Sequence, residues 1–84
     1  MSYKIFIEKP ARKFIAKQPK AQQQRILTAL YKLPHEGDIS PMRGVQGQYR
    51  VRIGTYRAIF TVEHDVLTVD VLEVDNRGDV YKGR

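Results

Sequence analysis

The stretch Tyr49-Arg50-Val51-Arg52-Ile53-Gly54-Thr55-Tyr56-Arg57-Ala58-Ile59-Phe60 reads as two short strands around a turn. Gly54-Thr55 has the length of a two-residue hairpin loop, and glycine supplies the positive φ that such loops need. If these two residues form the loop, Ile53 pairs with Tyr56, Arg52 with Arg57, Val51 with Ala58 and Tyr49 with Phe60. One face then carries Tyr49, Val51, Ile53, Tyr56, Ala58 and Phe60, all apolar. The opposite face carries Arg50, Arg52, Arg57 and Ile59. The hydrophobic alternation and the turn chemistry therefore give the same register by separate routes. That register sets Arg52 directly across from Arg57, and like charges so placed cost roughly some tenths of a kcal/mol. Acidic neighbours such as Asp70 or Glu73 would offset the cost. A phosphate would do so too, because guanidinium forks match its oxygens bidentately.

The surrounding chain supplies the other elements. Tyr3, Ile5 and Ile7 alternate with Lys4, Phe6 and Glu8, the pattern of a strand with one buried face. Pro10 suits the first turn of a helix, and Ala11, Phe14 and Ile15 form its apolar stripe. Pro19 ends that helix and opens a second one, in which Ile26, Leu27, Leu30, Tyr31 and Leu33 recur at helical spacing. The link is short enough for an antiparallel helix pair. Pro34 to Pro41, with Gly, Asp and Ser, reads as a loop. Beyond the hairpin a third apolar segment, Val66 to Val74, follows a second two-residue gap at His64-Asp65. The order of strand, two helices and antiparallel meander predicts an α+β fold, its three- to four-stranded sheet covered by helices on one face.

The 84 residues suffice for one domain, spanning 1–84, with a modest core. There is no cysteine, so disulfides and thiolate zinc sites are excluded. No His/Asp/Glu spacing suggests a metal site, and no cofactor is expected. Neither a signal peptide nor an apolar run of membrane-spanning length is apparent, so a soluble cytoplasmic protein is expected. The net charge of +6 is unevenly spread: residues 1–60 hold 12 Lys and Arg against 3 Asp and Glu, while residues 61–84 hold 3 against 6. Such a basic surface fits a nucleic acid or an acidic protein. The helical basic residues read as a solvated face, and so do His35 in the polar loop and His64 at a turn.

On these residues the chain resembles the RelE/ParE toxins of bacterial type II toxin–antitoxin pairs. Met42-Arg43-Gly44 through Tyr49-Arg50-Val51-Arg52-Ile53-Gly54-Thr55-Tyr56-Arg57 is similar to the family's K-L-x-G … Y-R-I-R-x-G-x-Y-R hairpin. Asp75-Asn76-Arg77-Gly78-Asp79-Val80-Tyr81 is similar to its G-H-R-x-x-V-Y ending. The resemblance implies the RelE-like fold and, for the RelE branch, a ribosome-dependent endoribonuclease that cuts mRNA in the decoding site without a metal. By position, Arg57 would stabilise the transition-state phosphate, with Arg43, Arg50 and Arg52 on the flanking backbone. Arg77 would assist the leaving oxygen, and Tyr81 would stack on a base or orient the 2′-hydroxyl. Asp75-Asn76 departs from the usual Gly-His, which removes the imidazole that some relatives place beside the arginine. The ParE branch shares the hairpin signature and inhibits DNA gyrase by binding it; a weakly active toxin domain held by its antitoxin is a further alternative. Every branch implies a cognate acidic antitoxin, partly disordered until bound, and is compatible with a toxin–antitoxin heterotetramer. No membrane partner is expected.

Overall fold

In a computed structural model, residues 3–44 and 46–76 are described. The chain runs β1 (Lys4–Ile7), α1 (Lys9–Ala16), α2 (Lys20–Tyr31), β2 (Asp38–Pro41), β3 (Gln48–Ile53), β4 (Tyr56–Glu63) and β5 (Thr68–Asn76). Pro10 stands in the first turn of α1, and Pro19 caps α2 at its N-terminus. The strands form one sheet in the order β1-β5-β4-β3-β2. The fold is α+β as the pattern predicts, with a sheet of five strands.

Three features differ from the expectation, two in the sheet and one at a turn. Asp38–Pro41, inside the stretch read as a loop, is a strand that pairs antiparallel with β3. Its proline and glycine neighbours mask it in the sequence, and Pro41 is tolerated because β2 lies at the sheet edge. The sheet is also mixed, because β1 pairs in parallel with β5 across the two helices.

The hairpin register is the one that the sequence dictates. Ile53 faces Tyr56, Arg52 faces Arg57, Val51 faces Ala58, Arg50 faces Ile59 and Tyr49 faces Phe60. Gly54 has φ +61°, in the left-handed region that a two-residue turn demands. The second turn is longer than expected: His64 to Leu67 separate β4 from β5, and Leu67 takes φ +48°. Between Ile59 and Phe60 the β4–β5 register shifts by one residue, leaving Leu72 as a bulge. Without the shift Val74 would lie opposite Arg57. With it, Val74 turns into the core and Asp75 turns out.

The core lies between the helices and one sheet face. Ala11 and Ile15 of α1 and Ile26 and Leu30 of α2 pack with Val51, Ile53, Tyr56, Ala58, Phe60, Val69, Val71 and Val74. Phe60 is fully enclosed, a burial that contributes on the order of 2–3 kcal/mol. The helix junction is tied to the hairpin at Tyr56: its hydroxyl donates to Gln18 Oε1 (3.1 Å), and its ring meets Phe14 edge-on. Among the described residues the other sheet face carries no helix.

At the β1–β5 edge, Glu8 lies beside Asp70. The hydrogen bond that a protonated Glu8 makes to Asp70, together with repulsion from that carboxylate, raises the Glu8 carboxyl above its ordinary value; Arg12 partly opposes this. A raised carboxyl pKa means that the folded chain holds the proton more tightly than the unfolded one, so stability increases as pH falls through the Glu8 titration. Glu8→Gln, a permanent donor to Asp70, should melt at a higher temperature than wild type at neutral pH. The difference should vanish in acid below the carboxylate range; an equal difference at both pH values would contradict the coupling. At the turn, an added Cβ on Gly54 would meet only the flexible end of Arg25, at 3.3 Å, so backbone strain dominates. Gly54→Ala should therefore lower the unfolding free energy by about 1–2 kcal/mol in urea titration; an unchanged midpoint would contradict the left-handed turn.

Candidate nucleic-acid interface

The helix-free sheet face is built by strand alternation. On β3, Arg50 and Arg52 alternate with the buried Val51 and Ile53; on β4, Arg57 and Ile59 alternate with the buried Tyr56, Ala58 and Phe60. Adding β2 and β5 gives a single row across four strands: Asp38 opposite Arg52, Arg52 opposite Arg57, and Arg57 opposite Asp75. Negative, positive, positive, negative is the order. The next row runs Ser40, Arg50, Ile59, Glu73, and Asp70 follows on β5 opposite Thr61.

Aspartates at both ends of the first row relieve the like-charge contact. Arg57 Nη2 lies 3.2 Å from Asp75 Oδ2, with the two side chains 27% and 40% exposed. Arg52 Nη1 lies 3.9 Å from Asp38 Oδ2, a looser pair in fuller contact with solvent. A pair of the second kind contributes little, about 0–1 kcal/mol, whereas partial burial strengthens the first. The neutralising residues are thus Asp38 and Asp75, where the sequence suggested Asp70 or Glu73. The bulge hid Asp75, and the unrecognised strand β2 hid Asp38.

Arg50 makes no ion pair among the described residues, and its Nε and the Nε of Arg57 are shielded from solvent without an acceptor. Asp70 Oδ1 and Asp75 Oδ1 are likewise shielded and unpaired, so the face holds unpaired atoms of both signs, and an anion would satisfy the arginine donors among them. The face therefore presents three guanidiniums held by strand geometry, two balanced from the side and one without an ion-pair partner among the described residues.

Of the other residues singled out in the sequence, Arg43 is exposed in the turn between β2 and β3. It stands at the opposite end of β3 from the Gly54 turn, so the fold does not bring it into the row with Arg52 and Arg57. Arg77 and Tyr81 lie outside the described residues. Asn76 is opposite Tyr56, one position beyond the Arg57–Asp75 pair. The two histidines are exposed and lie elsewhere: the Tyr3 ring meets His35 and His64 edge-on, and its hydroxyl shares a 2.8 Å hydrogen bond with His64 Nδ1. Both histidines gather around Tyr3, just ahead of β1, a contact that nothing in their separate loop positions signalled. Among the described residues no three His, Asp or Glu side chains converge as a metal site, and no helix is long and apolar enough to cross a membrane.

The comparisons with known proteins agree with this geometry. Residues 7–81 match the family described as the ParE toxin of type II toxin–antitoxin systems, parDE. The toxin RelG of Mycobacterium tuberculosis is 32% identical, over 98% of this chain and 99% of that protein. The archaeal RelE–RelB complex from Pyrococcus horikoshii superposes with TM-score 0.75 at 29% identity, covering 93% of this chain and 98% of the solved one. The RelBE2 toxin–antitoxin complex of M. tuberculosis gives TM-score 0.80 at 26% identity, over 94% and 95%. The family match spans both the arginine hairpin and the strand that closes its flank: the chain belongs to the RelE/ParE superfamily and is a toxin of a type II toxin–antitoxin system.

Proposed function

We propose that the chain, acting as one toxin domain over residues 1–84, is a ribosome-dependent endoribonuclease that cleaves mRNA in the decoding site. The observation that carries this reading is the solvent-facing set of Arg50, Arg52 and Arg57, held in place by cross-strand pairing. In the reaction the ribose 2′-oxygen loses its proton and bonds to the adjacent phosphorus, and the bond from phosphorus to the 5′-oxygen breaks. A 2′,3′-cyclic phosphate and a 5′-hydroxyl result. Negative charge grows on the phosphate oxygens as this happens, and preorganised cations aimed at that charge lower the barrier. Arg57 fits that task because Asp75 fixes its guanidinium from the side. Arg50 and Arg52 hold the flanking backbone, with Arg43 further along it. Arginine keeps its proton to a pKa above about 12, so these contributions are electrostatic. Arg77 on the leaving oxygen and Tyr81 on a base or the 2′-hydroxyl complete the site in this reading.

A second reading, inhibition of DNA gyrase, has two specific observations in its favour. The family model that the chain matches is that of ParE, and Asn76 stands where an RNA-cleaving relative often has histidine. In either case two of the solved relatives are toxin–antitoxin complexes, one RelE–RelB and one RelBE2. A cognate acidic antitoxin is the partner whose charge complements a basic face of this kind, and the pairing is compatible with a toxin–antitoxin heterotetramer.

Expressing the chain and mapping mRNA ends on translating ribosomes, with DNA supercoiling followed in parallel, separates the two readings. Fresh cuts within codons with normal supercoiling are expected; lost supercoiling with intact mRNA would replace the first reading by the second. Arg57→Ala should lower cleavage by about 10²-fold or more and leave the fold intact, because its side chain is off the core. Cleavage at the wild-type rate by a folded Arg57→Ala chain would refute the assignment. Asn76→His should keep or raise cleavage; a clear loss would show that this position works differently here.

A further inference from the structure

The charge on the open sheet face changes sign twice across the strands, and this pattern has a consequence for what it can hold. β2 contributes Asp38; β3 and β4 contribute Arg50, Arg52 and Arg57; β5 contributes Asp75, Glu73 and Asp70. We propose that Asp75 and Glu73 on one flank and Asp38 on the other are specificity-determining residues, confining nucleic acid on this face to a single strand that runs along β3 and β4. The inference rests on the reading of this face as a polyanion site and deepens it.

Dimensions support the proposal. Neighbouring strands lie about 4.8 Å apart, so β2 and β5 are separated by about 14 Å and the cationic lane between them is two strands wide. Along the lane, Arg50 and Arg52 are two residues apart on one strand, a step of roughly 6.8 Å. A single backbone following β3 and the Arg57–Thr61 part of β4 therefore meets guanidiniums in succession, and the one carboxylate on these strands, Glu63, stands at the far end of β4 from Arg57. A duplex is wider than the lane. With one backbone over the arginines, its second backbone overhangs a flank, and on the β5 side it meets three carboxylates in sequence. Glu73 is exposed and Asp75 is 40% exposed, so their charge reaches an approaching polyanion. Like charges brought together in this way reject the wrong partner at the rim of a site.

A merely structural role for Asp75, as a brace for Arg57, predicts something different. Replacing a brace weakens binding of every anion; replacing a wall strengthens binding of the wide one alone. The test uses a fluorescent 2′-O-methyl RNA of about 12 nucleotides, which cannot be cleaved, either single or annealed to its complement. Binding is titrated against wild type, Asp75→Asn, Glu73→Gln/Asp75→Asn and Asp75→Glu at several salt concentrations. Wild type is expected to prefer the single strand. In the double variant that preference should fall about fivefold or more through tighter duplex binding, while Asp75→Glu, which keeps the charge, preserves it. A preference unchanged in the double variant, or one that falls because single-strand binding weakens, overturns the proposal. Wild type that binds neither RNA overturns the polyanion reading beneath it, an outcome distinct from an unchanged preference.

Discussion

The cross-strand pair Arg52–Arg57 is the constraint on which the rest of the arginine face depends. Two guanidiniums stand directly opposite each other because Gly54, at φ +61°, closes a two-residue turn and fixes the register of β3 against β4. A slip of one residue would turn Val51, Ile53, Ala58 and Phe60 to solvent and bury the arginines. The apolar face thus enforces the position of the cations, and the like-charge contact persists because core burial outweighs it by several kcal/mol. Tyr56 adds a second anchor, since its ring and hydroxyl lock the hairpin to Phe14 and Gln18 at the helix junction.

The flanking strands turn this local cost into a site. Asp38 and Asp75 compensate the arginines from the outside of the row, leaving the space between them open to an anion. The arrangement depends on the bulge at Leu72. Before it, Val69 and Val71 face the helices; after it, Val74 does, and Glu73 and Asp75 join the arginine face. One extra residue therefore satisfies the core and supplies a counter-charge to Arg57 at the same time. Bulges commonly re-aim side chains next to functional sites, and here the re-aimed group is a carboxylate.

Much of this was legible in the sequence, for identifiable reasons. The hairpin register, the arginine face and the two helices punctuated by Pro10 and Pro19 follow from period-two and period-3.6 patterns and from turn chemistry. Three things were hidden. Strand β2 is four residues long and contains proline, so it resembles a loop. The parallel pairing of β1 with β5 joins residues more than 60 apart, which no local pattern encodes. The bulge leaves no residue signature, and without it the partners of Arg57 are assigned to the wrong side chains. Asp75 was visible as negative charge near the site; its direct contact with Arg57 emerged only from the three-dimensional register. Arg43, grouped with the hairpin arginines by motif, lies at the other end of β3 from Arg52 and Arg57.

The most direct measurement is an NMR titration that follows the arginine Nε–Hε resonances as an uncleavable single-stranded RNA is added. The account predicts that Arg50, Arg52 and Arg57 shift together and saturate at one stoichiometry, while Arg12 and Arg25 on the helices stay in place. Shifts confined to the helix arginines, with the hairpin signals unmoved, would contradict it.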